Sequence, residues 1–112
     1  MNRDSVLSKL TLKTAVVDVP EWGGSVTIRE LNAAERFVFA DRMSGDAKGE
    51  RLAATLADLV IAACQNDDGP LFQSGDKTAL LNSDGRAIQR LAEEVLKLSG
   101  LTESATEQAI KN

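Results

Sequence analysis

The sequence lacks histidine and tyrosine, and it has a single cysteine, Cys64. Because His is the commonest general base and metal ligand near neutral pH, its absence excludes Ser-His and Cys-His catalysis and the Cys/His sets that hold zinc. A lone Cys excludes an internal disulfide, and in an apolar helical pattern it is typical of a small buried hydrophobe. Carboxylate and metal-carboxylate chemistry remain possible, but the pairs Asp67-Asp68 and Glu93-Glu94 are sequence neighbours, which are typical of solvated faces and do not form a shared acid/base site. We therefore expect a protein that is not an enzyme and that binds no cofactor and no metal.

The chain also lacks a cluster of Lys or Arg and any long apolar run. Its net charge is −4. Because phosphate backbones attract clustered positive charge, we expect no nucleic acid partner. No apolar run approaches the roughly 20 residues of a membrane span, and the first residues lack the apolar core of a signal peptide. These absences predict no membrane partner and suit a reducing cytoplasm.

What is present is the composition of an ordinary globular domain, with 43% hydrophobic and 27% charged residues over 112 positions. A chain of this length is large enough to bury a real core. No repeat, low-complexity tract or linker divides it. We predict a single domain over residues 1–112, of the α+β class and dominated by helix, in which an N-terminal β-hairpin precedes about four α-helices.

Two short β-patterned runs flank a pair of glycines near the start of the chain. Their apolar side chains alternate and share a face: Ala15, Val17 and Val19 in the first run, Val26 and Ile28 in the second. Gly23-Gly24 supplies the positive φ that a hairpin turn needs. The pattern predicts an antiparallel hairpin over about residues 14–30. Because a two-stranded ribbon is not stable alone, this hairpin must pack on the helices.

Apolar spacing and capping residues predict helices over about residues 33–43, 50–65, 84–99 and 103–110. Asn32 followed by Glu35 forms a capping-box pattern at the first helix. Ser83 or Asp84 caps the third helix, and Gly100 stands where a left-handed residue ends it. The acidic and amide side chains of residues 65–70 predict an Asx-rich turn. A short helical turn follows, with Asp76 as its predicted cap.

Three large side chains are candidates for contact with a partner or with another copy of the chain. Trp22 stands at the hairpin tip, and Trp is enriched at binding hot spots; the alternative is that it folds back over the apolar face of the hairpin. In the first helix, Ala33, Phe37 and Ala40 form the predicted buried stripe, so Phe39 is either a core residue of a broader apolar face or a partner anchor. Ile61 lies opposite the apolar face of the second helix, on a back face that is also apolar. Either this helix is central and covered on both sides, or its back face is a subunit contact.

The order of several short motifs resembles that of the tail assembly chaperones of long-tailed, lambda-like bacteriophages. The first part is Val17-Asp18-Val19-Pro20-Glu21-Trp22-Gly23-Gly24-Ser25-Val26, followed by Arg29-Glu30-Leu31-Asn32-Ala33-Ala34-Glu35-Arg36. The second is a turn with Asp68-Gly69-Pro70-Leu71-Phe72 and a helix ending Leu96-Lys97-Leu98-Ser99-Gly100-Leu101. The resemblance extends over nearly the whole chain, and it lies in structural rather than catalytic residues.

This resemblance implies a protein that binds the long, hydrophobic tape-measure protein and keeps it soluble in the host cell cytoplasm while tail-tube subunits polymerise around it. It also implies a homo-oligomer and absence from the mature virion. In many relatives a programmed frameshift appends a second domain that recruits tail-tube protein. Ile110-Lys111-Asn112 can be encoded by a heptamer on which ribosomes slip back one base, which makes the same arrangement a hypothesis for this chain.

Two other classes of protein are also compatible with this sequence. One is a small structural component of the virion, such as a head–tail joining or tail protein. The other is a bacterial adaptor or regulatory binding protein.

Overall fold

The computed structural model describes residues 1–45 and 48–101. Its elements are α1 (Arg3–Leu7), β1 (Thr14–Val19), β2 (Gly24–Arg29), α2 (Ala33–Met43), α3 (Gly49–Ala63), β3 (Cys64–Asn66), β4 (Gly69–Pro70), α4 (Lys77–Leu81) and α5 (Gly85–Leu98). Turns of 3-10 helix lie at Pro20–Trp22 and Ser74–Asp76. The predicted fold class, an N-terminal hairpin followed by helices, is confirmed. The predicted helix at 103–110 lies outside the described residues.

The strands form one antiparallel sheet in the order β1-β2-β3-β4. The β1–β2 hairpin runs in register from Thr14 opposite Arg29 to Val19 opposite Gly24. The sequence predicts only these two strands, whereas the structure adds β3 and β4, and α3 ends two residues earlier than predicted. The physical reason is that Cys64 pairs with Ile28 across the sheet, so the chain becomes extended as soon as it leaves α3.

The core lies between the hairpin and the long helices. Helix α5 packs against β1 and β2, and α3 packs against α5. The inward faces of the hairpin are those predicted, because Val17, Val19, Val26 and Ile28 are buried. Helix α5 is amphipathic and contributes a regular apolar face: Ala87, Ile88, Leu91, Ala92, Val95 and Leu96. Removing these side chains from water is the main force that holds α5 on the sheet.

The helix ends follow the local sequence. Asn32 and Glu35 form the predicted capping box at the start of α2, and the side chain of Asp84 caps α5. At the end of α5, Gly100 takes a φ of 74° and the Leu101 N–H donates to the Leu96 carbonyl over 2.9 Å. A side chain is strained at that positive φ, so glycine suits this position.

Asp76 is the N-cap residue of the short helix α4, as predicted, but its side chain does not cap that helix. The side chain of Asp76 accepts a hydrogen bond from the Gln73 N–H at 2.8 Å and makes no capping bond to α4. Asp76 closes the preceding 3-10 turn instead, and α4 continues directly from that turn. By contrast, the Asx-rich turn is confirmed, because the Asp68 N–H donates to Asn66 Oδ1 over 2.8 Å.

The predicted buried stripe of α2 is also wrong. Ala33 and Ala40 are exposed, and Phe37 is 74% exposed, whereas Phe39 and Met43 are buried. Helix α2 is therefore rotated relative to the orientation that its apolar spacing predicts.

Two ion pairs account for this rotation of α2. Arg29 at the end of β2 donates two hydrogen bonds to the Glu35 carboxylate, at 2.7 and 2.9 Å. In the last turn of the helix, Arg42 lies 2.9 Å from the Asp58 carboxylate on α3. Both acceptors are less than one-third exposed, and a partly buried charge is costly without its partner. These pairs turn Glu35 and Arg42 toward the body of the protein and leave Phe37 outside.

Candidate binding surfaces

The hairpin tip is a rigid turn held on α5. Pro20–Trp22 forms a turn of 3-10 helix, and Gly23 follows it with a φ of 74°. Glu21 pairs with Arg90 of α5 through both carboxylate oxygens, one of them 2.8 Å from Arg90 Nη2. Such two-point pairing fixes direction as well as distance. The tip is therefore part of the body of the protein, and its side chains have set positions.

The same pairing shapes the titration of the hairpin tip. Hydrogen bonds from the Arg90 side chain lower the pKa of Glu21 from its ordinary 4.5 to about 2. A backbone hydrogen bond within the turn lowers the pKa further, while partial desolvation opposes both. Glu21 is thus a carboxylate at all but strongly acid pH, and it is engaged by Arg90 rather than available as an acid or base.

Trp22 lies half-buried against the core at the edge of a cleft. Its ring meets that of Phe72 edge to face, with centroids 5.9 Å apart and planes at 75°. This arrangement suits the charge distribution of two aromatic rings. The cleft has a volume of about 420 Å³ and is lined by Trp22, Phe72, Asp76, Ala79, Leu80 and Ser83. Trp22 packs on the core and also keeps part of its surface toward solvent.

A second apolar cleft lies on the other side of α4. Its volume is about 280 Å³, and it is bounded by the first turns of α3 and α5. Its lining is Gly49, Leu52, Ala53, Leu56, Leu80, Leu81, Ser83, Gly85, Ile88 and Gln89. We call it the α4 groove. It shares Leu80 and Ser83 with the cleft at Trp22, so short α4 separates two adjoining apolar depressions.

Phe39 belongs to the core and is 6% exposed. The Arg42 guanidinium lies over its ring, 5.4 Å from the centroid, and Arg42 in turn pairs with Asp58. A cation placed over an aromatic face is attracted to it. The sequence left two alternatives open for Phe39, a core residue or a partner anchor, and in the structure Phe39 is a core residue.

Ile61 is half-buried and packs against the core on the less covered side of α3. Ala57 on the same helix is fully buried, and the hydroxyl of the nearly buried Thr55 donates to the Arg51 carbonyl over 2.8 Å. Ala57, one turn before Ile61, is therefore covered by the rest of the protein. Ile61 keeps a partly exposed surface next to the covered region.

The most exposed aromatic side chain among the described residues is Phe37, at 74%, and the neighbouring Val38 is 55% exposed. We call these two residues the α2 patch. The spacing of Phe37 from Ala33 and Ala40 predicts a core residue, and the exposure of its side chain shows that this prediction is wrong. A signal for the correct orientation is present in Glu35 and Arg42, whose charges face the protein and place Phe37, about 200° further round the helix than Glu35, on the other side.

Residues 1–45 and 48–101 contain no group of three His, Cys, Asp or Glu side chains placed to hold a metal ion. Burial raises the pKa of the Cys64 thiol to about 12, so this Cys stays protonated and is a poor nucleophile. None of the described helices has both the length and the hydropathy of a membrane span.

Comparison with known proteins assigns the chain to a family. Residues 3–111 match the profile of the family described as phage tail assembly chaperone. Among solved structures, the tail assembly chaperone of bacteriophage HK97 matches with 25% sequence identity and a TM-score of 0.60, over 78% of this chain and 85% of that one. A search of curated proteins gives no significant match. The family profile spans nearly the whole sequence, and the chain therefore belongs to the phage tail assembly chaperone family.

Proposed function

We propose that this chaperone binds the tape-measure protein of its phage and keeps it soluble and competent for assembly while the tail tube polymerises. The observation that carries the proposal is the α2 patch, Phe37 and Val38, exposed on a member of this family. Binding takes place in the host cell cytoplasm, and the chaperone is absent from the finished virion. The role is one of binding rather than of catalysis.

The physical basis is the masking of apolar helices. A protein that binds an aggregation-prone chain lowers the concentration of its free form and so opposes precipitation. An amphipathic helix is recognised through apolar side chains that it buries against its partner. The α2 patch offers such side chains at no cost to the fold, because α2 is held by Arg29–Glu35 and Arg42–Asp58 instead.

Trp22 and Ile61 are secondary candidates for the same contact. Both are half-buried, and Trp22 lines a cleft of about 420 Å³ next to Phe72. A partner side chain that enters this cleft would meet the faces or edges of both rings. Phe39 is only 6% exposed, so we expect it to hold α2 in position by packing in the core and not to contact the partner itself.

Co-expression with the tape-measure protein tests the proposal. Phe37→Asp is expected to weaken binding by about tenfold or more, because an apolar contact is replaced by a charge. The measured quantity is the fraction of tape-measure protein in the soluble phase. The matched control is Val16→Asp, which places the same charge at a position 70% exposed on β1, outside the α2 patch.

The control should solubilise the tape-measure protein as the wild type does, and both variants should unfold at the wild-type temperature. If Phe37→Asp solubilises as well as the wild type, the α2 patch is not the binding surface. If the wild type itself leaves the tape-measure protein insoluble, the proposed function is wrong. Mass spectrometry of purified virions separates it from the alternative of a structural component, which would be present in a fixed copy number.

Two further partners belong to the proposal. The chaperone self-associates, and a frameshifted extension recruits the tail-tube protein. The extension is tested on the gene: the codons of Ile110, Lys111 and Asn112 must form a slippery heptamer with an overlapping downstream frame. Absence of either feature contradicts the extension and leaves tape-measure binding untouched.

A further inference from the structure

The cleft beside Trp22 combines two aromatic rings with a carboxylate. Of its six lining residues, Trp22 and Phe72 are aromatic, Asp76 and Ser83 have polar side chains, and the other two are aliphatic. Its volume is about 420 Å³. A mostly apolar depression with a few placed polar groups is the usual form of a site that takes a side chain or a small molecule. We call this depression the Trp22 cleft.

The aromatic pair leaves ring surface for a ligand. The rings of Trp22 and Phe72 meet edge to face, with their planes at 75°. In such a pair, the ring that contributes its edge keeps both of its faces clear of the other ring. Both side chains are also only half-buried. The face of an aromatic ring is its negative region and attracts cations, and Trp does so most strongly. The rings therefore favour a cationic ligand over an anionic one.

Asp76 supplies a negative charge that is held in place. Its Oδ2 accepts a hydrogen bond from the Gln73 N–H over 2.8 Å, which fixes the side chain on the 3-10 turn. The other carboxylate oxygen, Oδ1, accepts no hydrogen bond from the residues that the structure describes. The neighbouring cation, Lys77, pairs with Asp58 on α3 instead, at 3.0 Å. Asp76 thus has no ion-pair partner within the described ranges, and its charge is available to a ligand.

The second polar side chain of the Trp22 cleft is also an acceptor. The Ser83 hydroxyl donates its proton to the Leu80 carbonyl over 2.6 Å. A hydroxyl has one proton and two lone pairs, so Ser83 can still accept a hydrogen bond but has no further proton to donate. An ionised carboxylate such as that of Asp76 only accepts. These two side chains therefore favour a ligand that donates hydrogen bonds.

The segment of the chain that builds most of this cleft is acidic. Residues 67–84 supply five of the six lining residues, and they contain four Asp and one Lys, a net charge of −3. Arg86, which pairs with Asp84, reduces this net charge to −2. On the hairpin, Glu21 is paired with Arg90, so this pair adds no net charge. A local net charge attracts ligands of the opposite sign and raises the rate at which they arrive. The surface therefore favours a basic partner over a neutral or acidic one.

We propose that the Trp22 cleft binds an arginine side chain presented by a protein partner. A guanidinium is planar, stacks on aromatic faces and donates hydrogen bonds in a fixed fork, so it matches the rings, the Asp76 carboxylate and the Ser83 hydroxyl together. The aliphatic stem of the arginine packs on Ala79 and Leu80. The inference rests on the proposed function only for the identity of the partner, the tape-measure protein, and it adds the chemistry of one contact.

Titration of the purified full-length chain with acetyl-arginine amide tests the proposal. The sequence has one Trp and no Tyr, so indole fluorescence reports on the Trp22 cleft alone. The fluorescence change is expected to saturate, and NMR should place the largest shift changes at the Trp22 indole N–H and the backbone N–H groups of Asp76 and Ser83. Acetyl-citrulline amide has nearly the same shape without the charge, and it should bind about tenfold more weakly or worse.

Two variants each remove one feature of the cleft. Asp76→Asn removes the charge but keeps an oxygen for the Gln73 N–H, and Phe72→Leu removes a ring but keeps an apolar side chain. Each should raise the dissociation constant for acetyl-arginine amide by about fivefold or more. The matched control is Asp67→Asn, which makes the same change of charge at an exposed position outside the lining and should bind as the wild type does. Circular dichroism and thermal unfolding check that every variant is folded.

Any one of four results overturns the inference. The first is that acetyl-arginine amide produces no saturable change at Trp22. The second is that acetyl-citrulline amide or acetyl-leucine amide binds equally well, which would make the cleft a simple apolar pocket. The third is that Asp76→Asn or Phe72→Leu binds like the wild type, and the fourth is that Asp67→Asn loses as much affinity as Asp76→Asn.

None of these titrations contains the tape-measure protein, so the two proposals fail separately. A cleft that binds the arginine derivative in a chain that leaves the tape-measure protein insoluble contradicts the proposed function alone. A chain that solubilises the tape-measure protein but does not bind the arginine derivative contradicts only this inference.

Discussion

Helices α2 and α5 are similar in length, but different forces hold them on the protein. Helix α5 buries six residues along a regular apolar face of Ile, Leu, Val and Ala. Helix α2 buries Phe39 and Met43 alone, and it is held by the capping box and by ion pairs to β2 and α3. The comparison teaches that a helix fixed by directional polar contacts is free to expose apolar side chains, as α2 does with Phe37 and Val38.

The largest expected effect concerns the apolar attachment of α5. Leu91→Ala should lower the free energy of unfolding by about 3 kcal/mol, because Leu91 is fully buried and its truncation leaves a cavity. Phe37→Ala on the outer face of α2 should change it by less than about 0.5 kcal/mol. Urea denaturation followed by circular dichroism measures both. Similar losses for the two variants would abolish the contrast between the helices.

The polar attachment of α2 should give an intermediate effect. Glu35→Ala removes the acceptor for two Arg29 hydrogen bonds and for the Asn32 N–H, and it leaves Arg29 half-buried without this partner. We expect a loss of about 1–2 kcal/mol in the free energy of unfolding.

Glu93→Ala on the exposed side of α5 is the matched control for Glu35→Ala and should change the free energy by less than about 0.5 kcal/mol. Its carboxylate accepts a single exposed hydrogen bond from Gln89. Denaturant titration of both variants sharpens the comparison. Equal effects would mean that ion pairs do not set the position of α2.

The smallest effect concerns the pairing between the hairpin tip and α5. The pKa of Glu21 is about 2 in the folded protein and ordinarily 4.5, so the carboxylate is favoured by folding. A lowered pKa contributes stability that is complete above the unfolded value and is lost as the pH falls from about 4.5 toward about 2. The thermal midpoint should therefore fall more steeply over this window in the wild type than in Glu21→Gln.

Arg90→Gln serves as the reciprocal variant, because it removes the hydrogen bonds that lower the pKa of Glu21. Its pH profile should be shallower than that of the wild type but steeper than that of Glu21→Gln, because the backbone hydrogen bond that also lowers the pKa of Glu21 remains. The pKa of Asp84, lowered to about 2 chiefly by hydrogen bonds from the Arg86 side chain, adds the same trend in the wild type and in Glu21→Gln and cancels in that difference; the charge of Arg90 contributes to the lowering, so Arg90→Gln loses part of this trend as well. A profile of Glu21→Gln parallel to the wild type would show that the Glu21–Arg90 pair contributes nothing to stability.

The candidate surfaces show where reasoning from sequence reaches its limit. The hairpin tip was identified because Trp22 and two glycines stand out locally, and the structure adds Phe72, distant in sequence, as its ring partner. The α2 patch was missed because Phe37 has the spacing of a core residue. Its exposure depends on Arg29 and Asp58, which lie on other elements. Apolar periodicity indicates that a helix has an apolar face, but it does not indicate whether other elements of the protein cover that face.

The sequence by itself determined the features that rest on local chemistry. The alternation of β1 and β2, the Gly23 turn, the capping box of α2, the end of α5 at Gly100 and the apolar face of α5 all depend on residues within a few positions of one another. The motif order also carried the family resemblance, which the match over residues 3–111 confirms. Propensity, capping and periodicity act at short range, and so they can be read in order along the chain.

The tertiary structure alone decided the added strands, the rotation of α2 and the meeting of Trp22 with Phe72. Strand β3 forms because Cys64 and Gln65 pair with Ile28 and Thr27 of β2. Helix α2 takes its orientation from the ion pairs that join it to β2 and α3. These contacts join groups that are brought together only when the chain has folded. Short-range sequence patterns therefore do not determine these contacts. They are determined by packing and by the free-energy cost of leaving a half-buried charge without a partner.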